Sequence, residues 1–463
     1  MHRTLIKDTV SQVGQEVLLK GWINSRRDMG KLAFLDMRDR SGLAQVVLVP
    51  AELSEQGKEV MKELRPEFCI EIRGIVQKRG EKQINPDMPT GTVEILAKDV
   101  VVLNASKTPP FELEDTSKVN EEIRLKYRYL DLRSERLQKN LRLRNAFVQG
   151  CREFLLGQEF AEIETPYLTK ATPEGSRDFV VPSRLQPGKF FALPQSPQQY
   201  KQLLMVAGME RYFQMARAFR DEDPRADRGF EHTQVDIEMS FVSQEDVMNM
   251  VEAMVTKTVE DLGYTIKQKP FPRITYAESM AKYGADKFDL RTEEDKKNNV
   301  LAYAWVVDFP FFEKTEEGGW TFTHNPFSMP KPEFLADHMA GTNVERILTT
   351  QYDLVCNGYE SGGGSIRAHD PEILKATYKI MGYSEAEIEE SVGHMIEAFR
   401  YGAPPHGGIA LGVERNLMNL TGETYLREVQ AFPMTGSGRT SVMEAPSELP
   451  ANNLKELHLK VEE

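Results

Sequence analysis

Short apolar runs broken by glycine, aspartate and serine dominate the first hundred residues. Val17-Leu18-Leu19, Leu32 to Met37 and Gln45 to Val49 are rich in branched side chains and predict three strands. Ala51 to Leu64 predicts a helix, and Phe68 to Val76 and Thr92 to Leu103 predict two more strands around the turn-rich Asn85-Pro86-Asp87-Met88-Pro89-Thr90-Gly91. Three strands, a helix and two strands is the order of a five-stranded oligonucleotide-binding (OB) barrel, an order that other small β modules share. Ala105 to Pro110 and the polar, acidic stretch after it predict a linker, set at residues 106–135, between a domain of residues 1–105 and one of 136–463. Ile123 to Phe154 carries Leu and Tyr among charged residues at spacings of three and four, without proline, and predicts a helix. From Glu159 onward strands and helices mix without a βαβ rhythm, which predicts an α+β domain on an antiparallel sheet flanked by helices.

Composition narrows the class. With 463 residues, 40% hydrophobic and 28% charged, the chain reads as globular and large enough for two or three domains, not as a disordered segment. Its three cysteines, Cys69, Cys151 and Cys356, are too few for a disulfide framework and too widely spaced for a zinc motif, so a reducing, cytoplasmic setting is expected. No apolar stretch is long enough for a membrane helix, and the N-terminus lacks the apolar core of a signal peptide. Residues 1–110 balance at +2, so the net charge of −13 arises from −15 over the remainder. That argues against non-specific nucleic-acid binding and leaves room for a local RNA contact on the near-neutral N-terminal module.

No phosphate-binding P-loop is present: Thr435-Gly436-Ser437-Gly438-Arg439-Thr440 has arginine where lysine belongs. No Gly-x-Ser-x-Gly elbow or His-Glu-x-x-His helix occurs either. Phosphate chemistry would therefore rest on arginines and metal, and four segments offer it. Phe219-Arg220-Asp221-Glu222-Asp223, followed by Arg225, Arg228 and Asp236, offers forked guanidiniums beside carboxylates, or a solvated charged turn. Gly358 to Arg367 contains three consecutive glycines that suit a close-lying ligand or backbone, and Asp353 with Glu360 suits magnesium; a flexible turn with surface acids is the alternative. Gly407 to Arg415 runs from a strand into a helix start carrying an arginine, which holds an anion or is only a joint. Pro194 to Lys201 is a polar turn entering a helix, either a small-molecule contact or a capped helix start.

Taken together and in order, these segments resemble the signature motifs of class II aminoacyl-tRNA synthetases. Glu159-Phe160-Ala161-Glu162-Ile163-Glu164-Thr165-Pro166 resembles motif 1, Phe219 through Asp236 motif 2, and Gly412-Val413-Glu414-Arg415 motif 3. Arg124 to Arg133 resembles the start of the catalytic domain in the subgroup with an N-terminal anticodon-binding barrel. The likeness covers nearly the whole chain. It is closest to the bacterial-type aspartyl enzymes, through Gln195-Ser196-Pro197-Gln198, Arg220-Asp221-Glu222-Asp223 and Gly362-Gly363-Gly364-Ser365-Ile366-Arg367.

The resemblance implies an OB-fold anticodon-binding domain joined to a class II catalytic domain, an ATP-dependent ligase of the cytoplasm. It would form aspartyl-AMP from L-aspartate and ATP, then charge tRNA-Asp, with Mg²⁺ as metal and a homodimer through Pro166. No protein nucleophile is needed, which fits the absence of a Ser–His or Cys–His pair. By the same resemblance Arg220 clamps the α-phosphate, Glu222 meets adenine and Arg415 holds the γ-phosphate, these three being the catalytic set. Asp221, Arg228, His232, Glu360, Gly412, Val413 and Glu414 complete the ATP site, with Asp353 and Glu360 on the metal. The aspartate side chain lies between Arg367 and Lys201 near His324, and its ammonium meets Glu174, Gln198 and Asp236. An acidic side chain needs cations and an ammonium needs carboxylates; an asparagine site has less use for two cations. In the barrel, Arg27, Phe34, Gln45, Arg79, Gln83, Asn85 and Glu94 match anticodon positions, Phe34 being otherwise an ordinary core residue.

Departures carry expectations of their own. The domain-sized insertion of bacterial enzymes is missing near 291–304, between Tyr283-Gly284-Ala285-Asp286-Lys287-Phe288-Asp289-Leu290-Arg291 and Trp305. Activity is expected to survive, with changed acceptor-stem contacts or stability. His232 replaces the phenylalanine that stacks on adenine and Gly229 a glutamine, which predicts weaker ATP binding; Asn325 replaces a second histidine. Met29 and Lys82 stand where relatives that also charge tRNA-Asn carry histidine and glycine, which predicts discrimination against tRNA-Asn. Two alternatives remain: a catalytically silent RNA-binding paralogue, which would have lost some of Arg220, Glu360, Arg367 and Arg415, and a relative charging asparagine or lysine.

Overall fold

The computed structural model of the protein describes residues 2–171 and 174–462, and the chain divides into two units between Ser117 and Lys118. The first unit contains β1 (Glu16–Met29), β2 (Leu32–Asp39), β3 (Gly42–Leu48), helix α1 (Glu55–Glu63), β4 (Cys69–Lys78) and β5 (Val93–Asn104). Its strands close into a barrel in the order β1-β2-β3-β5-β4, which is the expected OB arrangement. Strict alternation makes the barrel: along β2, Ala33, Leu35 and Met37 fill the interior while Phe34, Asp36 and Arg38 face out. β1 runs well past its apolar run because its polar half, to Met29, pairs residue for residue with β2; ladder hydrogen bonds, not side-chain burial, hold it.

The second unit begins inside the expected linker. The predicted single helix of 123–154 is three: α2 (Glu121–Lys126), α3 (Arg128–Asp131) and α4 (Glu135–Gly157). Tyr127 (φ −109°, ψ 37°) and Ser134 (ψ 143°) leave helical geometry between them. The break lets Arg124 meet Glu428 at 2.8 Å, and lets Arg128 meet Asp131 at 2.6 Å and donate to the carbonyls of Arg427, Gln430 and Ala431. Buried guanidiniums paired in this way are integral structure, and residues 118–135 fall in the second unit rather than in a linker.

The chain continues through β6 (Ala161–Glu162), a hairpin of β7 (Val180–Pro182) and β8 (Phe190–Ala192), α5 (Gln198–Val206), β9 (Arg211–Phe219), β10 (Glu231–Ser240) and α6 (Gln244–Asp261). There follow β11 (Arg273–Thr275), α7 (Tyr276–Tyr283), α8 (Glu293–Lys297), β12 (Tyr303–Val307), a hairpin of β13 (Phe312–Lys314) and β14 (Trp320–Phe322), and α9 (Leu335–Ala340). Beyond them come β15 (Gln351–Cys356), β16 (Tyr359–Ile366), α10 (Pro371–Ile380), α11 (Glu385–Phe399), β17 (His406–Gly412) and α12 (Val413–Thr421). Between Arg291 and Tyr303 only the short α8 stands where an inserted domain was expected to be missing.

Eight strands form one sheet in the order β11-β12-β15-β16-β17-β10-β9-β6. It is antiparallel except at its two edges, where β11–β12 and β6–β9 pair in parallel. One face is apolar and covered: Phe147, Cys151 and Leu155 of α4, Val251 and Val255 of α6 and Leu417 of α12 pack with Val235, Ile237 and Leu354 of the sheet. Because β10 alternates, Gln234, Asp236 and Glu238 point to the other face, and all three are buried there. That face carries the site. No helix among the described residues is long and apolar enough to cross a membrane, and the three cysteines are free.

Candidate active site

A cavity of about 320 Å³ opens over the polar face of β10, β16 and β17. Its deep end holds four buried charges. Lys201 from the first turn of α5 lies 3.1 Å from Asp236 and 3.3 Å from Glu238. Arg367, just past β16, grips Glu238 through Nε at 2.9 Å and Nη2 at 3.1 Å, and donates to Ser365 Oγ at 2.9 Å. Two cations thus balance two carboxylates away from water. Burial pushes Asp236 up to about 6, and Lys201 draws it back only in part. Burial also acts on Glu238, but Arg367 and Lys201 outweigh it and hold its carboxyl below the usual range. Asp236 Oδ1 is buried with no hydrogen-bond partner, an acceptor on the cavity wall suited to a cationic group. Glu174 closes this end, accepting from Ser196 Oγ at 2.9 Å, and Gln198 donates to Gln202 at 3.0 Å.

The outer end is wetter. Arg220 donates through Nε to Gln195 O at 3.4 Å. Glu222 accepts from Ser176 Oγ and lies 3.6 Å from Arg228. Arg415, in the first turn of α12, lies 3.2 Å from Asp227 and 3.6 Å from Glu360, and Lys287 meets Glu360 at 2.9 Å. Burial opposes the Glu360 charge, yet Arg415 and Lys287 prevail and lower its carboxyl. His232 accepts from Gln234 Nε2 at 3.1 Å; burial and the Arg220, Arg415 and Arg217 cations push it down to about 3, so its ring is neutral.

The glycines separate their two readings. A Cβ on Gly364 would stand 2.0 Å from Gly408 O, so the neighbouring strand requires that glycine. A Cβ on Gly363 would come 2.9 Å from Asp353 Oδ1 and 3.5 Å from Glu360 Oε1. Two carboxylates therefore converge on bare backbone, a hard-oxygen pair that fits Mg²⁺ beside phosphates. Asp353 also accepts from Gln351 Nε2 at 2.8 Å and contacts His324 Nε2 at 3.2 Å. Burial works against a charged His324, but Asp353 outweighs it and raises the imidazole.

The cavity brings together Glu174, Gln198, Lys201, Arg220, Glu222, Arg228, His232, Asp236, His324, Glu360, Arg367, Gly412, Glu414 and Arg415. Three other residues stand off it. Asp221 turns to Arg177 at 3.6 Å, Val413 sits in the helix-side core, and Asp353 is buried behind the wall. Although Glu414 reaches the wall, its carboxylate is occupied by Arg144 at 2.9 Å and the Thr233 amide at 3.0 Å. Sequence reasoning missed Glu238, which shares a strand face with Asp236 two residues on, and missed Asp227, Asp286 and Lys287. Asn325 donates to Gln351 at 3.3 Å. Gly229 has only ordinary contacts around a would-be Cβ, so a side chain would fit.

On the barrel, Phe34 stands outside rather than in the core, opposite Arg27 and Val47. Arg27 donates to Gln45 at 3.3 Å, Gln45 to Glu94 at 2.9 Å, and Arg79 lies 3.7 Å from Glu94 and donates to Gln83 O. Asn85 opens the turn that follows. One half-exposed aromatic in a polar network is the form of a base-stacking surface. Met29 and Lys82 are exposed.

The description of tRNA synthetases class II (D, K and N) matches residues 120–436, and that of an OB-fold nucleic acid binding domain matches residues 17–103. The chain belongs to the class II tRNA synthetases of this D, K and N group. Relatives matched over 98% of this chain include aspartate–tRNA ligases. It is 38% identical to the aspartate–tRNA ligase of Macrococcus caseolyticus, covering 98% of this chain and 97% of that one. It is 39% identical to the aspartate–tRNA(Asp/Asn) ligase of Bacillus cereus strain AH187, covering 98% of each. The fold is similar to asparaginyl-tRNA synthetase from Pyrococcus horikoshii complexed with asparaginyl-adenylate (TM-score 0.75, 23% identity, 94% of this chain and 98% of that one). It is similar too to a putative aspartyl-tRNA synthetase from Leishmania major Friedlin (TM-score 0.74, 22% identity, 93% and 94%).

Proposed function

We propose that the protein is an aspartate–tRNA ligase that charges tRNA-Asp in the cytoplasm. The observation that carries the reading is the pairing of Lys201 and Arg367 around one buried carboxylate, with the unpartnered Asp236 Oδ1 beside them. An aspartate side chain finds two cations there, and its ammonium finds Asp236, Glu174 and Gln198. The substrate α-carboxylate attacks the α-phosphorus of ATP, a C–O–P bond forms, and pyrophosphate leaves. Arg220 holds the α-phosphate and the reacting carboxylate, and Arg415 and Arg228 hold the outer phosphates. Glu222 meets adenine while neutral His232 stacks on it. Asp353 and Glu360 would hold Mg²⁺, which neutralises phosphate charge when bound. The aspartyl group then passes to the terminal ribose of tRNA, whose anticodon bases stack on Phe34 among Arg27, Gln45, Arg79, Gln83, Asn85 and Glu94.

A homodimer through the exposed Pro166 next to β6 belongs to the same reading. So does preference for tRNA-Asp over tRNA-Asn, set by Met29 and Lys82. The alignments to the relatives run over 577 residues against 463 here, in keeping with a lost insertion. Arg220, Glu360, Arg367 and Arg415 face one cavity, which disfavours a silent paralogue.

ATP–pyrophosphate exchange with aspartate, asparagine and lysine, followed by charging of tRNA-Asp and tRNA-Asn transcripts, tests this. Exchange with aspartate alone and charging of tRNA-Asp alone is the expected outcome. Exchange only with asparagine or lysine overturns the substrate, and charging of both tRNAs overturns the roles of Met29 and Lys82. Loss of exchange and charging together supports the silent paralogue.

A further inference from the structure

Asp286, His324 and Asp353 offer one ligand atom each, all within 4.8 Å of one another. Asp286 lies in the turn after α7, His324 just after β14 and Asp353 on β15, so three separate segments deliver them to one point. The hydrogen bonds around His324 orient its ring. The Thr323 hydroxyl donates to Pro310 O at 2.6 Å, so its oxygen is left to accept from His324 Nδ1 at 3.3 Å. Nε2 is thereby turned on the Asp353 carboxylate at 3.2 Å, with Asp286 as a third acceptor. Three acceptors facing one another call for a cation between them; a proton on Nε2 fills that place when no metal is bound.

Their chemistry selects the cation. Mg²⁺ prefers oxygen donors and retained waters, whereas one imidazole nitrogen with two carboxylates suits zinc and its borderline neighbours. We propose that Asp286, His324 and Asp353 form a zinc site that shares Asp353 with the proposed Mg²⁺ position and excludes Glu360. Bonds of about 2.1 Å put the donors of a tetrahedral ion roughly 3.4 Å apart. The His324–Asp353 pair already has that spacing, and rotation of the half-buried Asp286 side chain closes the third side. Thr323 is the outer partner that ligating histidines generally have. Glu360 stays out because its carboxylate is not among the ligand atoms that converge on this point. Zinc bound here removes Asp353 and His324 from the substrates and so inhibits the enzyme competitively with Mg²⁺. That consequence rests on the proposed role of Asp353, whereas the binding itself does not.

The test is calorimetric titration of Zn²⁺, and absorption with Co²⁺, on chelator-treated full-length protein without ATP, aspartate or tRNA. One equivalent per chain is expected, with cobalt d–d bands of a nitrogen- and oxygen-ligated ion. Asp286→Asn should weaken zinc roughly tenfold or more, His324→Ala should abolish the cobalt spectrum, and Glu360→Gln should leave both unchanged. Should His324→Ala not fold, as judged by circular dichroism, Asp286→Asn decides alone. No stoichiometric binding, a thiolate charge-transfer band from the free cysteines, indifference to Asp286→Asn, or equal loss in Glu360→Gln would each overturn the site. Zinc binding by a protein inactive toward aspartate would count against the proposed reaction only.

Discussion

Side-chain exposure at the deep end of the cavity is 2% for Lys201, 0% for Asp236 and Glu238 and 3% for Arg367, against 22% for Arg415, 29% for Asp227, 26% for Glu360 and 35% for Lys287 at the outer end. Both ends pair cations with carboxylates, but the surroundings change what the pairs can do. Deep charges interact at low dielectric, and losing one partner strands another without water. They form a fixed template that accepts one charge pattern and rejects its neighbours. The outer pairs are more exposed and so screened and replaceable, which under the proposed function lets ATP phosphates take the place of Asp227 and Glu360 on Arg415. In the proposed reaction, selection of the amino acid falls to the buried end and turnover of the nucleotide to the exposed one.

Four substitutions or conditions sharpen that contrast. The largest effect is expected from Arg367→Leu. It strands Glu238, should lower unfolding free energy by about 3–5 kcal/mol, and should cut aspartate-dependent pyrophosphate exchange roughly 10³-fold or more; thermal melts and exchange kinetics read both. Arg415→Ala should cut exchange by about 10²–10³-fold while shifting stability by no more than about 1 kcal/mol. A large stability loss there would erase the distinction between the two ends.

Acid should separate binding from folding. Asp236 titrates near 6 in the folded protein, above the roughly 3.9 of an unfolded aspartate. The folded state therefore holds the extra proton between those values. This residue's contribution to stability grows as pH falls through 6 and is complete below about 4. Aspartate binding moves the other way, because a neutral Asp236 no longer meets the ammonium. KM for aspartate should rise up to roughly tenfold per pH unit below 6, and Asp236→Asn should flatten that slope. The smallest effect belongs to His232→Phe at the outer end. A fuller stacking face should lower KM for ATP by about two- to tenfold with aspartate KM unchanged.

Much of this was legible along the chain, for reasons specific to particular residues. The barrel could be read because its strands alternate one side in and one side out, and Phe34 falls on the outer parity. Motif residues such as Arg220, Glu360 and Arg415 were picked out by type and spacing, and the fold brings them to one wall. The linker was misplaced because Arg124 and Arg128 look like surface charges until residues some 300 positions later in the chain supply their partners. Glu238 escaped notice for a like reason: its two cations lie on α5 and beyond β16.

The amino-acid sequence by itself determined the strands and helix of the barrel, since periodicity, caps and glycines act over a few residues, but not the break of 123–154 into three helices. It also determined which chemical groups the motif segments offer: arginines and carboxylates. Only the tertiary structure decided which charges lose their water and which keep it. Burial and pairing depend on side chains remote in sequence meeting at one point: burial raises both carboxyls, and the direct grip of Arg367 on Glu238 is what lowers that one while its neighbour Asp236 stays near 6.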